Sequence, residues 1–273
     1  MWKTWQMTGP FSEPWATAPQ AVLARVLGVM TDIDDTLTRD GAIEAPALAA
    51  LHDLAAAGLP VVAITGRPLG WSLPFAQAWP VAAIVAENGA VALIRDADSL
   101  VTEYTQDAAT RATHALRLQA AARRVLREVP GATLAQDSPG RVTDIAIDHS
   151  EFAHLPPAAM AQVVAVMQQA GLVATVSSIH INGWIGQHSK WTAAQWMVQR
   201  LLGRDLQAEA GRWLYVGDST NDQLMFQHLP LTVGVANLRR FADQLQHWPT
   251  YITQAERGAG FAEVVRRLLA ERV

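Results

Sequence analysis

Five short apolar runs punctuate the chain: Val26 to Met30, Pro60 to Thr65, Val81 to Ala86, Trp213 to Val216 and Leu231 to Ala236. Polar turns follow them, such as Asp32-Ile33-Asp34-Asp35, Gly66-Arg67-Pro68, Glu87-Asn88-Gly89 and Gly217-Asp218-Ser219. Apolar runs of this length bounded by turn signals read as buried strands. Helical patterns lie between them. Leu48, Leu51, Leu54 and Ala55 share one face, and Gly58 supplies a C-terminal cap. Trp191, Ala194, Val198, Leu201 and Leu202 define another helix, and Phe261, Val264, Val265, Leu268 and Leu269 a closing one. Strands separated by helices imply βαβ units and a parallel sheet.

The rhythm changes between about Ala90 and Ile185. Hairpin-like runs (Ala90 to Ile94, Val101 to Tyr104) precede an amphipathic helix carrying Ala115, Leu118, Ala122, Val125, Leu126 and Val129. A strand at Val142 to Ile147 follows, then a helix bearing Met160, Val163, Val164 and Met167. Two strands, Val173 to Val176 and Ile179 to Ile185, complete a ββαβαββ order. The fold class expected is α/β, a Rossmann-like parallel-sheet core (residues 1–87 and 186–273) interrupted by an inserted α+β domain (88–185).

At 273 residues and 50% hydrophobic content the chain can bury a sizeable core. A net charge of −4 gives no electrostatic footprint for nucleic acid, so an anionic substrate has to be held by local cations. The absence of cysteine excludes disulfides and thiolate chemistry. No apolar run approaches a membrane span, and the first residues lack a signal-peptide pattern, so a cytoplasmic protein is expected. Trp2, Trp5 and Trp15 cluster in a Pro-containing leader to which no role is assigned.

Four short stretches carry chemistry. Asp32 and Asp34 follow the first strand, where open α/β sheets hold their ligands. One carboxylate there can attack phosphorus while its neighbour moves protons; taken alone, the pair also suits a polar turn. Thr65 and Gly66, at the end of the second strand, offer a hydroxyl and backbone N–H groups to phosphate oxygens. Arg67 beside them reads either as a substrate binder or as a surface ion-pairing residue, the second being preferred. Lys190 opens a helix, where the dipole disfavours a cation, which points to a nearby anion. It is also one of only two lysines, with Lys3, against 19 arginines. Asp218 and Asp222 in Gly217-Asp218-Ser219-Thr220-Asn221-Asp222 offer oxygen ligands of the kind magnesium prefers. In the insert, Ser178, His180, Asn182 and Trp184 alternate with isoleucines and share one strand face, a set suited to binding a sugar. Arg141 and Asp144 are weaker candidates on the neighbouring strand.

In this order and spacing the four stretches resemble the motifs of the haloacid dehalogenase superfamily, class IIB, whose C2B cap lies between the second and third motifs. The resemblance implies a phosphatase that uses Mg2+ and an aspartyl-phosphate intermediate. It assigns Asp32 as nucleophile, Asp34 as acid/base, and Thr65, Gly66, Lys190 and Asn237 to the phosphate. Asp32, the Asp34 backbone carbonyl, Asp218 and Asp222 fall at the metal. The substrate implied is a small phosphorylated metabolite, such as a sugar phosphate, held between core and cap. Asp35 departs from the glycine many members carry there. A phosphosugar mutase of the same superfamily and a phospho-accepting signalling module are the alternatives. A signalling module would need neither Asp34 as acid/base nor the large insert.

Overall fold

The computed structural model describes residues 12–97 and 99–272. The chain opens with β1 (Glu13–Pro14), α1 (Gln20–Leu23) and β2 (Gly28–Thr31). A small ribbon, β3 (Thr38–Arg39) and β4 (Ala42–Ile43), leads into α2 (Ala45–Ala56), β5 (Val61–Ile64), α3 (Leu69–Ala78) and β6 (Ala83–Ala86). Next come β7 (Val91–Asp96), β8 (Ser99–Tyr104), α4 (Ala108–Glu128), β9 (Thr133–Leu134) and β10 (Asp144–Asp148). The middle of the chain ends with α5 (Pro157–Gln169), β11 (Val173–Val176) and β12 (His180–Trp184). The last part holds α6 (Lys190–Leu202), β13 (Trp213–Gly217), α7 (Gln223–His228), β14 (Thr232–Gly234), β15 (Tyr251–Ile252) and α8 (Arg257–Ala270).

Nine strands form one sheet in the order β1-β15-β14-β13-β2-β5-β6-β7-β8, parallel from β1 to β6. Strands β2, β5, β6 and β13 are buried along their whole length, as expected where helices cover both faces. One core layer packs α2 and α8 through Leu51, Leu54, Phe261 and Val264. The opposite layer is built on Met30, Ile64, Met197 and Trp213. The chain leaves β2 toward β5 on one side and returns to β13 on the other. The carboxyl end of β2 is therefore a topological switch point, where such sheets leave a crevice.

A second sheet, β11-β12-β10-β9, is antiparallel and carries α4 and α5 over its own core of Leu118, Val125, Ile147, Val163, Met167 and Ile181. The hairpin expected to open the insert instead continues the large sheet: β7 pairs antiparallel with β6, and β8 with β7. Val91 to Ile94 are buried, so their apolar side chains complete the core at that edge, and the second sheet begins only at Thr133. Trp2 and Trp5 lie outside the described residues. Trp15 is buried edge-on against Tyr251, 5.6 Å between ring centres, where β1 closes the other edge of the large sheet. Among the described residues no helix is long and apolar enough to cross a membrane.

Candidate active site

The crevice at the end of β2 gathers residues from all four motifs. The Asp32 amide still belongs to the sheet, donating to the Val216 carbonyl at 2.9 Å, and the chain then turns tightly, with Leu37 N–H closing on Ile33 O at 2.8 Å. This geometry aims Asp32 and Asp34 to different partners.

Asp32 accepts an ion pair from Lys190 Nζ at 2.8 Å, and the same ammonium meets Asp222 at 2.7 Å. Lys190 sits in the first turn of α6, held there by a reciprocal Ser189–Thr192 cap. The cation's unfavourable place at a helix start is thus offset by two carboxylates. Burial opposes the ammonium charge, but Asp222 and Asp32 outweigh it and raise the Lys190 pKa. Asp222 is saturated: one oxygen takes the N–H groups of Asp218 and Ser219 at 2.9 and 3.0 Å, the other takes Lys190 and the Tyr215 hydroxyl. Gly217 is required beside it, since a Cβ there would lie 2.5 Å from Asp222 Oδ2.

Asp218 is fully buried, and the hydrogen bonds it receives come from neutral groups, Asn237 Nδ2 at 3.1 Å and Thr36 Oγ1 at 3.5 Å. Burial, then repulsion from Asp32 and Asp222, pushes its pKa well above the ordinary carboxylate range. Burial likewise pushes Asp32 up to about 7; Lys190 opposes this and Asp222 adds to it.

Asp32, Asp218 and Asp222 bring an oxygen each within 4.8 Å of one another. With all three ionised, the carboxylates against one ammonium leave two negative charges, which an all-oxygen site for a divalent cation would neutralise. The residues therefore fit magnesium, with Asp32 and Asp218 as the open ligands and Asp222 spent mainly on Lys190. The Asp34 carboxylate stands outside this group, turned away toward Arg67.

Arg67 is the residue the sequence placed wrongly. It is buried, not on the surface, and its Nε donates to both Asp34 oxygens at 3.0 and 3.1 Å. Its two other nitrogens reach Glu151 at 2.7 and 3.2 Å and Asp137 at 3.3 Å, both from the inserted segment. Thr65 Oγ1 accepts the Arg67 N–H at 3.0 Å and stands 3.5 Å from Asp34 Oδ2. The Gly66 carbonyl accepts from Arg141 Nη1 at 2.9 Å and Asn182 Nδ2 at 3.2 Å, so the insert is latched onto the second motif. A Cβ at residue 66 would come within 3.1 Å of Asn182, which explains the glycine. Glu87, buried at the end of β6, extends the latch by accepting from Val142 N, Thr143 N and Thr143 Oγ1.

The sugar-binding face expected on β12 is divided. His180 joins Glu151 at 2.9 Å, and Ser178 lines a cavity of about 390 Å³ together with Asp34, Arg67 and Glu151. Asn182 is occupied by Gly66 and Asp144. Trp184 lines a separate cavity of about 230 Å³ beside Lys190, where it stacks on His188. Asn237 bridges motifs instead of standing free: it donates to Asp218 and to the Asp35 carbonyl and accepts from the Arg257 N–H. Asp35 has φ of +54°, the conformation that favours glycine, and its side chain pairs with Arg257 at 2.6 Å. Tyr215, Glu151 and Asp137 were not singled out from sequence. No local pattern marks a strand tyrosine beneath a site or two acids on loops.

Residues 29–123 match the family described as haloacid dehalogenase-like hydrolase. A search of curated proteins gave no sequence match. Among solved structures the fold is shared with a Thermoplasma acidophilum protein at TM-score 0.69 and 15% identity, covering 89% of this chain and 98% of that one. It is also shared with a Plasmodium vivax putative HAD/COF-like hydrolase at TM-score 0.66 and 14% identity (92% and 99%). The Synechocystis sucrose-phosphatase, solved with sucrose and phosphate, gives TM-score 0.63 at 15% identity (89% and 97%). The fold these structures share is α/β, and in this chain the insert lies between the second and third motifs. Over residues 29–123 the chain thus matches the haloacid dehalogenase-like hydrolase family, the resemblance its motifs led us to expect.

Proposed function

We propose that the chain is a magnesium-dependent phosphomonoester hydrolase acting on a sugar phosphate or a related small metabolite. The observation that carries this reading is the pairing of Asp32 with Lys190 inside a buried carboxylate group that lacks two positive charges. Phosphoryl transfer needs positioned charge more than covalent machinery, and these residues supply it. Asp32 attacks the phosphorus and the bond to the leaving oxygen breaks, while Asp34 gives that oxygen a proton. Asp34 then takes a proton from water, which attacks the aspartyl-phosphate and frees phosphate and Asp32. Lys190, with Thr65 and the Gly66 turn, holds the phosphoryl oxygens. A magnesium ion held by Asp32 and Asp218 would supply charge neutralisation at the phosphoryl group.

Residues 106–185 serve in this reading as a cap closing the crevice through the Arg67, Gly66 and Glu87 contacts. A sugar leaving group is supported by the shared fold of the sucrose-phosphatase and of a trehalose-6-phosphate phosphatase related protein (TM-score 0.58, 15% identity). Phosphate release from a panel of sugar and small-metabolite phosphates, with magnesium and with EDTA, tests the proposal. Magnesium-dependent release concentrated on one or a few sugar phosphates is expected. No release from any member by the folded protein would sink it.

A further inference from the structure

The cavity beside Asp34 shows which part of the insert faces the leaving group. Its wall on that side is Ser150, Glu151 and Phe152 in the turn after β10, with Ser178 and Ile179 just before β12, while His180, Asn182 and Trp184 do not line it. Asp148, 2% exposed, builds this turn. One of its oxygens accepts the N–H groups of Ser150 and Glu151 at 3.1 and 2.9 Å, the other those of Phe152 and Ala153 at 2.9 and 3.2 Å. Ser150 Oγ adds a bond to Ser178 O at 2.7 Å. The turn is therefore fixed, and it presents Glu151 and Phe152 at the cavity.

Phe152 is 63% exposed, an unusual state for a phenyl ring held on so rigid a backbone. Burial alone would raise the Glu151 carboxyl, yet hydrogen bonds from His180 and Arg67 hold it at about 2, so it stays a charged acceptor. The cations of the cavity are all engaged by acids. Arg67 binds Asp34, Asp137 and Glu151, Arg257 binds Asp35, and Arg240 binds Glu256. A second anionic group on the leaving side would meet guanidinium groups already paired. Hydroxyl groups would instead meet carboxylate acceptors, and the apolar face of a ring would meet a waiting phenyl.

We infer that Glu151 and Phe152 are the residues that select the leaving group, Glu151 accepting its hydroxyls and Phe152 covering its ring, and that this group is a neutral polyol without a second anion. The inference rests on the reading of the crevice as a phosphomonoester site and narrows its substrate class. Binding tests it separately from turnover. In an Asp32→Asn background with magnesium, calorimetry would measure inorganic phosphate, 3-phosphoglycerate and the 6-phosphates of glucose, fructose, sucrose and trehalose.

The preference for the tightest sugar phosphate over inorganic phosphate should fall about tenfold in Glu151→Gln, the scale of one hydrogen bond to a charged group. It should fall about fivefold in Phe152→Ala, whose exposed ring the fold does not need. A preference within twofold of the parent in both variants overturns the inference, as does tighter binding of 3-phosphoglycerate than of any sugar phosphate. Absence of sugar-phosphate binding in the parent overturns it as well. Sugar-phosphate binding that obeys the prediction, with no phosphate released by the unsubstituted chain, would remove the hydrolase reading and leave the selectivity assignment standing.

Discussion

Lys190 and Arg67 are two buried cations of the crevice, and they are wired differently. Lys190 binds Asp32 and Asp222, both on turns that follow strands of the large sheet. Arg67 binds Asp34 from the large sheet but Asp137 and Glu151 from the insert. The Lys190 half is complete without the insert, whereas the Arg67 half exists only when the two parts are together. In the proposed reading, phosphoryl chemistry thus sits on the large sheet, and handling of the leaving group is assembled across a junction.

The largest effect expected is at Asp32. Asp32→Asn should lower kcat by at least about 10⁴-fold, the scale at which loss of a nucleophile is felt. It should not lower Tm of the metal-free protein, because it relieves repulsion among buried acids. Steady-state rates and calorimetry check both halves, and substantial residual turnover would refute the nucleophile assignment.

Next comes the contrast between the cations. Arg67→Met should accelerate amide exchange in the second sheet, residues 133–184, by about tenfold or more, since a bridging charge is lost between the two parts. Exchange in that sheet should be unaffected by Lys190→Met. Equal acceleration in both variants would erase the distinction between the halves.

The smallest effect is pH-linked. The folded, metal-free chain keeps a proton on Asp32 up to about pH 7, whereas the unfolded carboxyl loses it near 3.8. The folded state binds more protons in that window, so this group's contribution to stability falls as pH rises from about 4 to 7. Magnesium should therefore raise Tm more at pH 8 than at pH 5; at a concentration 100 times its pH 8 Kd it stabilises by about 2.7 kcal/mol at pH 8 and by less at pH 5. Equal shifts at the two pH values would argue against cation binding at these acids.

The parallel sheet and the Lys190 half were legible in the sequence, because Asp32 and Asp222 lie in turns after apolar runs and Lys190 opens a helix. Lys190 even announced its partners by standing where the helix dipole opposes it. The Arg67 half was not legible for the opposite reason. Arg67, Asp137 and Glu151 meet only through the docking of the insert, and no local pattern marks the two acids. The β7–β8 hairpin was assigned to the insert because its pattern says strand but not which sheet edge it joins. Trp184 looked like a sugar platform by its place in the alternation, yet its ring is committed to His188 beside the Lys190 cavity.

Asp148 has a consequence for how such a protein changes over evolutionary time. By taking four backbone N–H groups it fixes the path of the 149–153 turn with contacts that do not involve the side chains at 150, 151 and 152. The turn is a socket whose fittings can be exchanged while the frame stays put. In the proposed reading, new leaving-group preferences are reachable by few substitutions, at neighbouring codons, without touching Asp32 and Lys190.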